Sequence, residues 1–273
     1  MKRFSVPFVL IVSLLVGALV GGTFVRLAYP TGAPQRALYL ELMKLTLTDL
    51  IYLDDPKGRQ IRMEGGDWPG RGHTMIGLAR LDNLQFCMED VLKRKVPGDF
   101  IECGAWRGGA TIFMRAVLKS HGVTDRRVWV ADSFEGLPVP NAEKYPADDG
   151  ISLAGTAPLA VSLEQVQENF RRYGLLDDRV QFLKGWFSET LPRSPIERLA
   201  VLRVDGDLYE STMDALKNLY PKLSVGGYVI VDDVGSLPPC RKAVEDYRTA
   251  HQITSEVKRI DWTGVYWMKE EGQ

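Results

Sequence analysis

The chain has 273 residues and a mass of 30.6 kDa, enough for one large α/β domain with a short extension. Hydrophobic residues make up 45% and charged residues 25%, an ordinary globular mixture that excludes wholesale disorder and collagen-like repeats. Lys plus Arg (34) nearly balance Asp plus Glu (35), which removes the electrostatic case for nucleic acid, and three cysteines without CxxC or Cys/His spacing argue against a disulfide framework or a structural zinc.

Residues Phe4–Val25 carry no charge over 22 positions and lie between Lys2-Arg3 and Arg26. As a helix the run would span roughly 33 Å, close to a bilayer core of about 30 Å. Its length favours a membrane anchor over a cleaved secretory signal, for which Leu27-Ala28 is a poor cleavage site; a misassigned start is the third reading. Residues 1–28 are therefore expected to be an anchor or signal-like segment.

Residues 29–38 read as a linker and 39–53 as an amphipathic helix. A Gly- and charge-rich loop follows from Asp54 to Gly72, then a helix from Thr74 to Lys93. From residue 99 a βα alternation takes over. Strands are expected at 99–103, 127–132, 180–185, 199–205 and 227–233, with helices at 109–120, 162–173, 209–220 and 240–251 between and after them. Two further strands, 254–261 and 264–269, suggest an antiparallel pair. The pattern predicts a doubly wound, mostly parallel seven-stranded α/β sheet, with residues 29–98 as a linker and helical extension ahead of a domain at 99–273.

In such a sheet ligands sit at the carboxyl ends of the strands. The first strand ends in Glu102-Cys103-Gly104-Ala105-Trp106-Arg107-Gly108-Gly109, where glycines let a backbone approach a ligand or simply make a tight turn. The second ends at Asp132, 28 residues after Gly104, placed to accept hydrogen bonds from a ribose diol or to cap the next element. Gly185-Trp186 closes the third, its indole suited either to an adenine face or to core packing. Asp205 and Asp207 follow the fourth strand, and Asp232 and Asp233 end the fifth. Four carboxylates this close repel one another unless a cation neutralises them, and an all-oxygen set points to Mg²⁺ or Ca²⁺ rather than zinc; the alternative is N-caps and surface carboxylates. Arg203 and Lys222 offer an alternative neutralisation.

The stretches HTMIGLARLDNLQFCMEDVL, IECGAWRGGATIFMRAVL, VWVADSFEGLP, NFRRYGLLDDRVQFLKGWF, LRVDGDLYEST and GGYVIVDDV resemble the macrocin O-methyltransferase (TylF/MycF) family of class I methyltransferases. The likeness runs from about Tyr39 to Lys269, and the Phe4–Val25 run has no counterpart in it. The resemblance implies a Mg²⁺-dependent O-methyltransferase that moves a methyl group from S-adenosylmethionine to a sugar hydroxyl of a glycosylated small molecule, as in antibiotic biosynthesis.

By position, Glu102, Gly104, Trp106, Arg107, Gly108 and Gly109 would hold the methionine part of the cofactor. Asp132 with Ser133 and Phe134 would hold its ribose, and Gly185 and Trp186 would border its adenine. Asp205, Asp232 and Asp233 would form the metal triad, with Asp205 as proton acceptor and His73 as the second candidate base. His73–Gly77 resembles a lid segment, and a homo-oligomer is expected. Because S-adenosylmethionine is cytosolic, an anchored catalytic domain should face the cytoplasm. Two other readings compete: a catalytically silent, membrane-tethered binding domain with the same fold, and a nicotinamide-dependent oxidoreductase, which the glycine spacing disfavours.

Overall fold

The computed structural model describes residues 35–151 and 153–272; the Phe4–Val25 run and residues 29–34 of the expected linker lie outside them. Helix α1 (Gln35–Leu47) therefore begins inside the stretch that reads as a linker. A second departure is α2 (Pro56–Glu64), which occupies the middle of the expected Asp54–Gly72 loop. Its caps outweigh its glycine and charge content. The Asp55 carboxylate accepts from the Gly58 amide, Pro56 supplies a preset φ at the first turn, and Gly65 stops the helix at φ 70°. Helix α3 (Leu78–Lys93) follows, with its start at Gly77.

The βα alternation then appears as expected. In chain order come β1 (Asp99–Cys103), α4 (Gly109–Ser120), β2 (Val128–Asp132), α5 (Leu163–Arg172), β3 (Val180–Lys184), the short α6 (Phe187–Thr190), β4 (Leu199–Val204), α7 (Tyr209–Leu219), β5 (Leu223–Val231), α8 (Pro238–Ala250), β6 (Lys258–Arg259) and β7 (Val265–Met268). The sheet order is β3-β2-β1-β4-β5-β7-β6. Strands β1 to β5 run parallel, and β7 pairs antiparallel with both β5 and β6.

All six residues of β4 are buried, as a strand covered on both faces requires. Its side chains divide between two cores, with alternation interrupted by a register irregularity between Leu199 and Val201. Ala200 and Val201 join Phe100, Val130, Leu84 and Phe113 on the face covered by α1, α3 and α4. Leu202 and Val204 join Ile101, Val229, Leu216 and Val244 on the face covered by α7 and α8. Strand order reverses between β1 and β4, so the crevice of this sheet opens where Cys103 and Val204 end their strands. Among the described residues, no helix is long and apolar enough to cross a membrane.

Candidate active site

The crevice holds a cavity of about 470 Å³. Its floor is made of strand ends: Glu102 near the end of β1 with Gly104, Ala105 and Trp106 after it, Asp132 ending β2 with Ser133 after it, Gly185 and Trp186 after β3, Asp205 to Asp207 after β4, and Asp232 and Asp233 after β5. The outer walls come from Trp68, Met75, Leu137, Pro138, Leu153, Leu159 and Trp262, with Glu210 and Asp214 from α7.

The β1 turn is built by its neighbours. Gly104 sits at φ 92°, and a β-carbon there would collide with the Asp205 carbonyl, so glycine lets β1 and β4 end side by side. One oxygen of Asp132 accepts from the amides of Ala105 (2.7 Å) and Trp106 (3.2 Å), and the other from the amide of Phe134 (2.7 Å). Asp132 thus shapes the glycine turn from the adjacent strand while still facing the cavity. Burial raises its pKa, and these three amides pull it back down. Ser133 donates to the Gly136 carbonyl and accepts from the Glu135 amide.

Not every expected cofactor residue reaches the cavity. Phe134 turns into the core against Phe182, and Arg107, Gly108 and Gly109 lie behind the cavity wall. His73 is also set back. Its Nδ1 sits 3.1 Å from the Tyr173 hydroxyl, and its carbonyl accepts from Gly109. Burial lowers its pKa, with Arg107 adding to the effect, which favours the neutral imidazole.

A chain of alternating charges runs beneath the cavity. Arg203, 1% exposed, donates from Nη1 to Glu102 Oε1 (2.5 Å) and Asp205 Oδ2 (2.8 Å), and from Nη2 to Asp232 Oδ1. Arg80 on α3 donates to the other oxygen of Asp232 and to Asp261 (2.9 Å). Burial pushes the Glu102 carboxyl up to about 8 against the opposing pull of Arg203, and its buried Oε2 has no hydrogen-bond partner among the described residues.

Three carboxylates converge beyond this chain. One oxygen each from Asp205, Asp207 and Asp233 lies within 4.8 Å of the others. Of the expected triad, Asp205 and Asp233 belong to this cluster, while both oxygens of Asp232 are engaged by arginines. Asp207 joins the two, presented at φ 57° by the turn after β4. No role beyond charge crowding was legible for it; the Asp-Gly-Asp spacing was the available signal. Burial and the like charges of Asp205 and Asp232 push Asp207 up to about 8, and burial with the same neighbours raises Asp233. Asp233 Oδ2 has no hydrogen-bond partner. A half-buried, mutually repelling oxygen set in which only Asp205 has a cationic partner is what a hard divalent cation would neutralise, so these residues fit one.

A glycine-bearing turn at a switch point, beside an acidic residue on the next strand, is a nucleoside-cofactor arrangement, and sequence comparison names the kind. The family model for Macrocin-O-methyltransferase (TylF) matches residues 53–269. The chain belongs to the macrocin O-methyltransferase family.

It is 56% identical over 242 residues to an 8-demethyl-8-(2,3-dimethoxy-alpha-L-rhamnosyl)-tetracenomycin-C 4'-O-methyltransferase of Streptomyces olivaceus, covering 85% of this chain and 92% of that one. It is 49% identical over 245 residues to a Mycinamicin III 3''-O-methyltransferase of Micromonospora griseorubida, covering 85% and 96%. The structure of the O-methyltransferase NovP superposes with a TM-score of 0.84 at 52% identity, covering 86% of this chain and all of that one. Membership of this family makes the protein an S-adenosylmethionine-dependent O-methyltransferase, as the sequence resemblance implied.

Proposed function

We propose that the protein methylates a sugar hydroxyl on a glycosylated small molecule, with a hard divalent cation, Mg²⁺ as the sequence resemblance implied, bound at the carboxylate cluster. The observation that carries this reading is the convergence of Asp205, Asp207 and Asp233 at the end of the cofactor crevice. The relatives named for sugar methylation supply the acceptor class: one acts on a rhamnosyl tetracenomycin and one on mycinamicin III.

Methyl transfer from a sulfonium to oxygen is governed by placement, because attack must be in line with the departing sulfur. In this reading Gly104, Trp106, Asp132, Ser133, Gly185 and Trp186 seat the cofactor, and the cavity walls carry the sugar. Asp205 and Asp233 hold the cation, with Asp207 as the third carboxylate beside it. When bound, that cation would orient neighbouring hydroxyls and make the attacking one more acidic. Arg203 fixes Asp205 through its 2.8 Å hydrogen bond, leaving it less free to collect a proton. Among the described residues the Asp207 side chain makes no hydrogen bond, so it, rather than Asp205, is free to accept the acceptor's proton. His73, turned to Tyr173, takes no part. With cytosolic S-adenosylmethionine as donor, the catalytic domain works on the cytoplasmic side.

The test is turnover of purified protein with S-adenosylmethionine and a panel of rhamnosylated polyketide and macrolide acceptors, with Mg²⁺ or with EDTA. Methylated product that forms only with the divalent cation supports the reading. Product formed equally in EDTA overturns the cation, and no product on any glycoside overturns the acceptor class.

A further inference from the structure

Trp106 and Arg107 are consecutive residues of the turn after β1, and each ends on a different outer wall of the cavity. Trp106 has a backbone φ of 48°, a left-handed conformation that costs a bulky side chain free energy and persists only where its surroundings hold it. Its amide is held by Asp132, and its indole Nε1 donates to the Pro158 carbonyl at 2.6 Å. Pro158 lies between the cavity-lining residues Leu153 and Leu159 in the 153–160 loop.

Arg107 runs the other way. Its guanidinium carbon lies 4.1 Å from the centre of the Trp106 indole, and its Nη1 donates to the carbonyls of Pro69 (2.9 Å), Gly70 (3.0 Å) and Gly72 (2.8 Å). These carbonyls follow Trp68, a cavity-wall residue, while Arg62 holds the Asp67 carbonyl just before it at 2.9 Å. The backbone of Arg107 is itself fixed, since its carbonyl accepts from the buried Asn169 of α5 at 2.9 Å. Every wall partner of the two side chains is a main-chain oxygen, so they set where the walls stand whatever residues the walls carry.

We infer that Trp106 and Arg107 are positioning residues that couple occupation of the cofactor turn to the shape of both acceptor walls. The inference rests on the proposed division of the cleft into cofactor floor and acceptor walls. A nucleoside seated on the turn restrains Trp106 directly, and the stacked pair passes that restraint to the 153–160 loop through the indole and to the 65–72 loop through the guanidinium.

The test is hydrogen exchange of the full chain with and without saturating S-adenosylhomocysteine. In the wild type the nucleoside should slow exchange in peptides covering 65–72 and 153–160. Arg107→Met should lose that slowing at 65–72 and keep it at 153–160. Trp106→Phe, which retains the ring but not the donor, should lose it at 153–160. Arg107→Lys, with three N–H donors, should restore the 65–72 response. A wall that Arg107 merely stabilises would exchange faster by the same factor with and without the nucleoside, and that result overturns the coupling. So does an unchanged response in both Arg107→Met and Trp106→Phe. Failure of the wild type to bind S-adenosylhomocysteine at all is a different result, and overturns the cofactor reading itself.

Discussion

Arg80 and Arg203 hold one carboxylate between them, each donating to a different oxygen of Asp232. Arg203 comes from β4 and Arg80 from α3, so this junction ties the helix that precedes the sheet to the sheet's switch point. Both guanidinium groups are almost fully buried, as is Asp232. A buried ion pair is no more stabilising than good apolar packing, but it is costly to break, because the partner left behind stays buried and charged.

Arg203→Met should therefore be the most damaging change in the network. It leaves Glu102 and Asp205 without their shared donor and Asp232 with only Arg80. The expected loss is about 3–5 kcal/mol of unfolding free energy, read as a lower midpoint in urea denaturation. Arg80→Met leaves Arg203 on Asp232 and should cost less. Equal losses would show that the two arginines act as one unit.

Asp207→Asn and Asp205→Asn should separate proton acceptance from positioning. Asparagine at 207 keeps the shape but cannot take a proton, and general-base losses are typically about 10²–10⁴-fold in rate. The Asp207→Asn variant should lose kcat by that order while S-adenosylhomocysteine binds as before. Asp205→Asn should instead weaken the response to Mg²⁺, visible as a raised cation requirement. If Asp205→Asn alone abolishes proton transfer with normal cation dependence, the roles are reversed.

The sheet was legible in the sequence because its strands are short β-branched runs punctuated by glycine and aspartate; 99–103 and the helix 109–120 match residue for residue. The charged strand ends were legible as a cluster but not as individuals. Asp232 and Asp233 are adjacent, yet one meets two arginines and the other meets Asp205 and Asp207. That split is decided by side-chain direction along an extended backbone and by Arg80, 152 residues away in sequence, which no spacing argument reaches. Helix α2 was missed for a local reason, since composition hid an Asp-Pro start and a glycine stop.

His73 should leave a signature in the pH dependence of stability. Its folded pKa is depressed by burial, while in the unfolded chain it titrates near about 6.5. Above that value both states are neutral and the contribution is complete. As pH falls below it, the unfolded chain takes up a proton that the folded one resists, so stability declines toward the folded pKa. His73→Gln should flatten this decline in urea midpoints measured across the window below pH 6.5, leaving higher pH little changed in slope. An unaltered slope would mean that His73 is solvated in the native state.

Removing charge from the cluster should have opposite effects with and without Mg²⁺. Without the cation, the raised pKa values of Asp207 and Asp233 mean that the folded state resists ionising carboxylates that ionise freely when unfolded. That resistance lowers stability as pH rises from the carboxylate range toward the folded values, so Asp233→Asn should raise the melting temperature of the cation-free protein near neutral pH. With Mg²⁺ the order should invert. A ligand that binds only the folded state stabilises it by about 2.7 kcal/mol at a hundred times its dissociation constant, and the wild type gains this while Asp233→Asn does not. Thermal melts of both proteins with and without millimolar Mg²⁺ read the four values directly. A variant less stable than wild type under both conditions would mean that Asp233 is held by hydrogen bonding in the fold rather than by electrostatic demand for a cation.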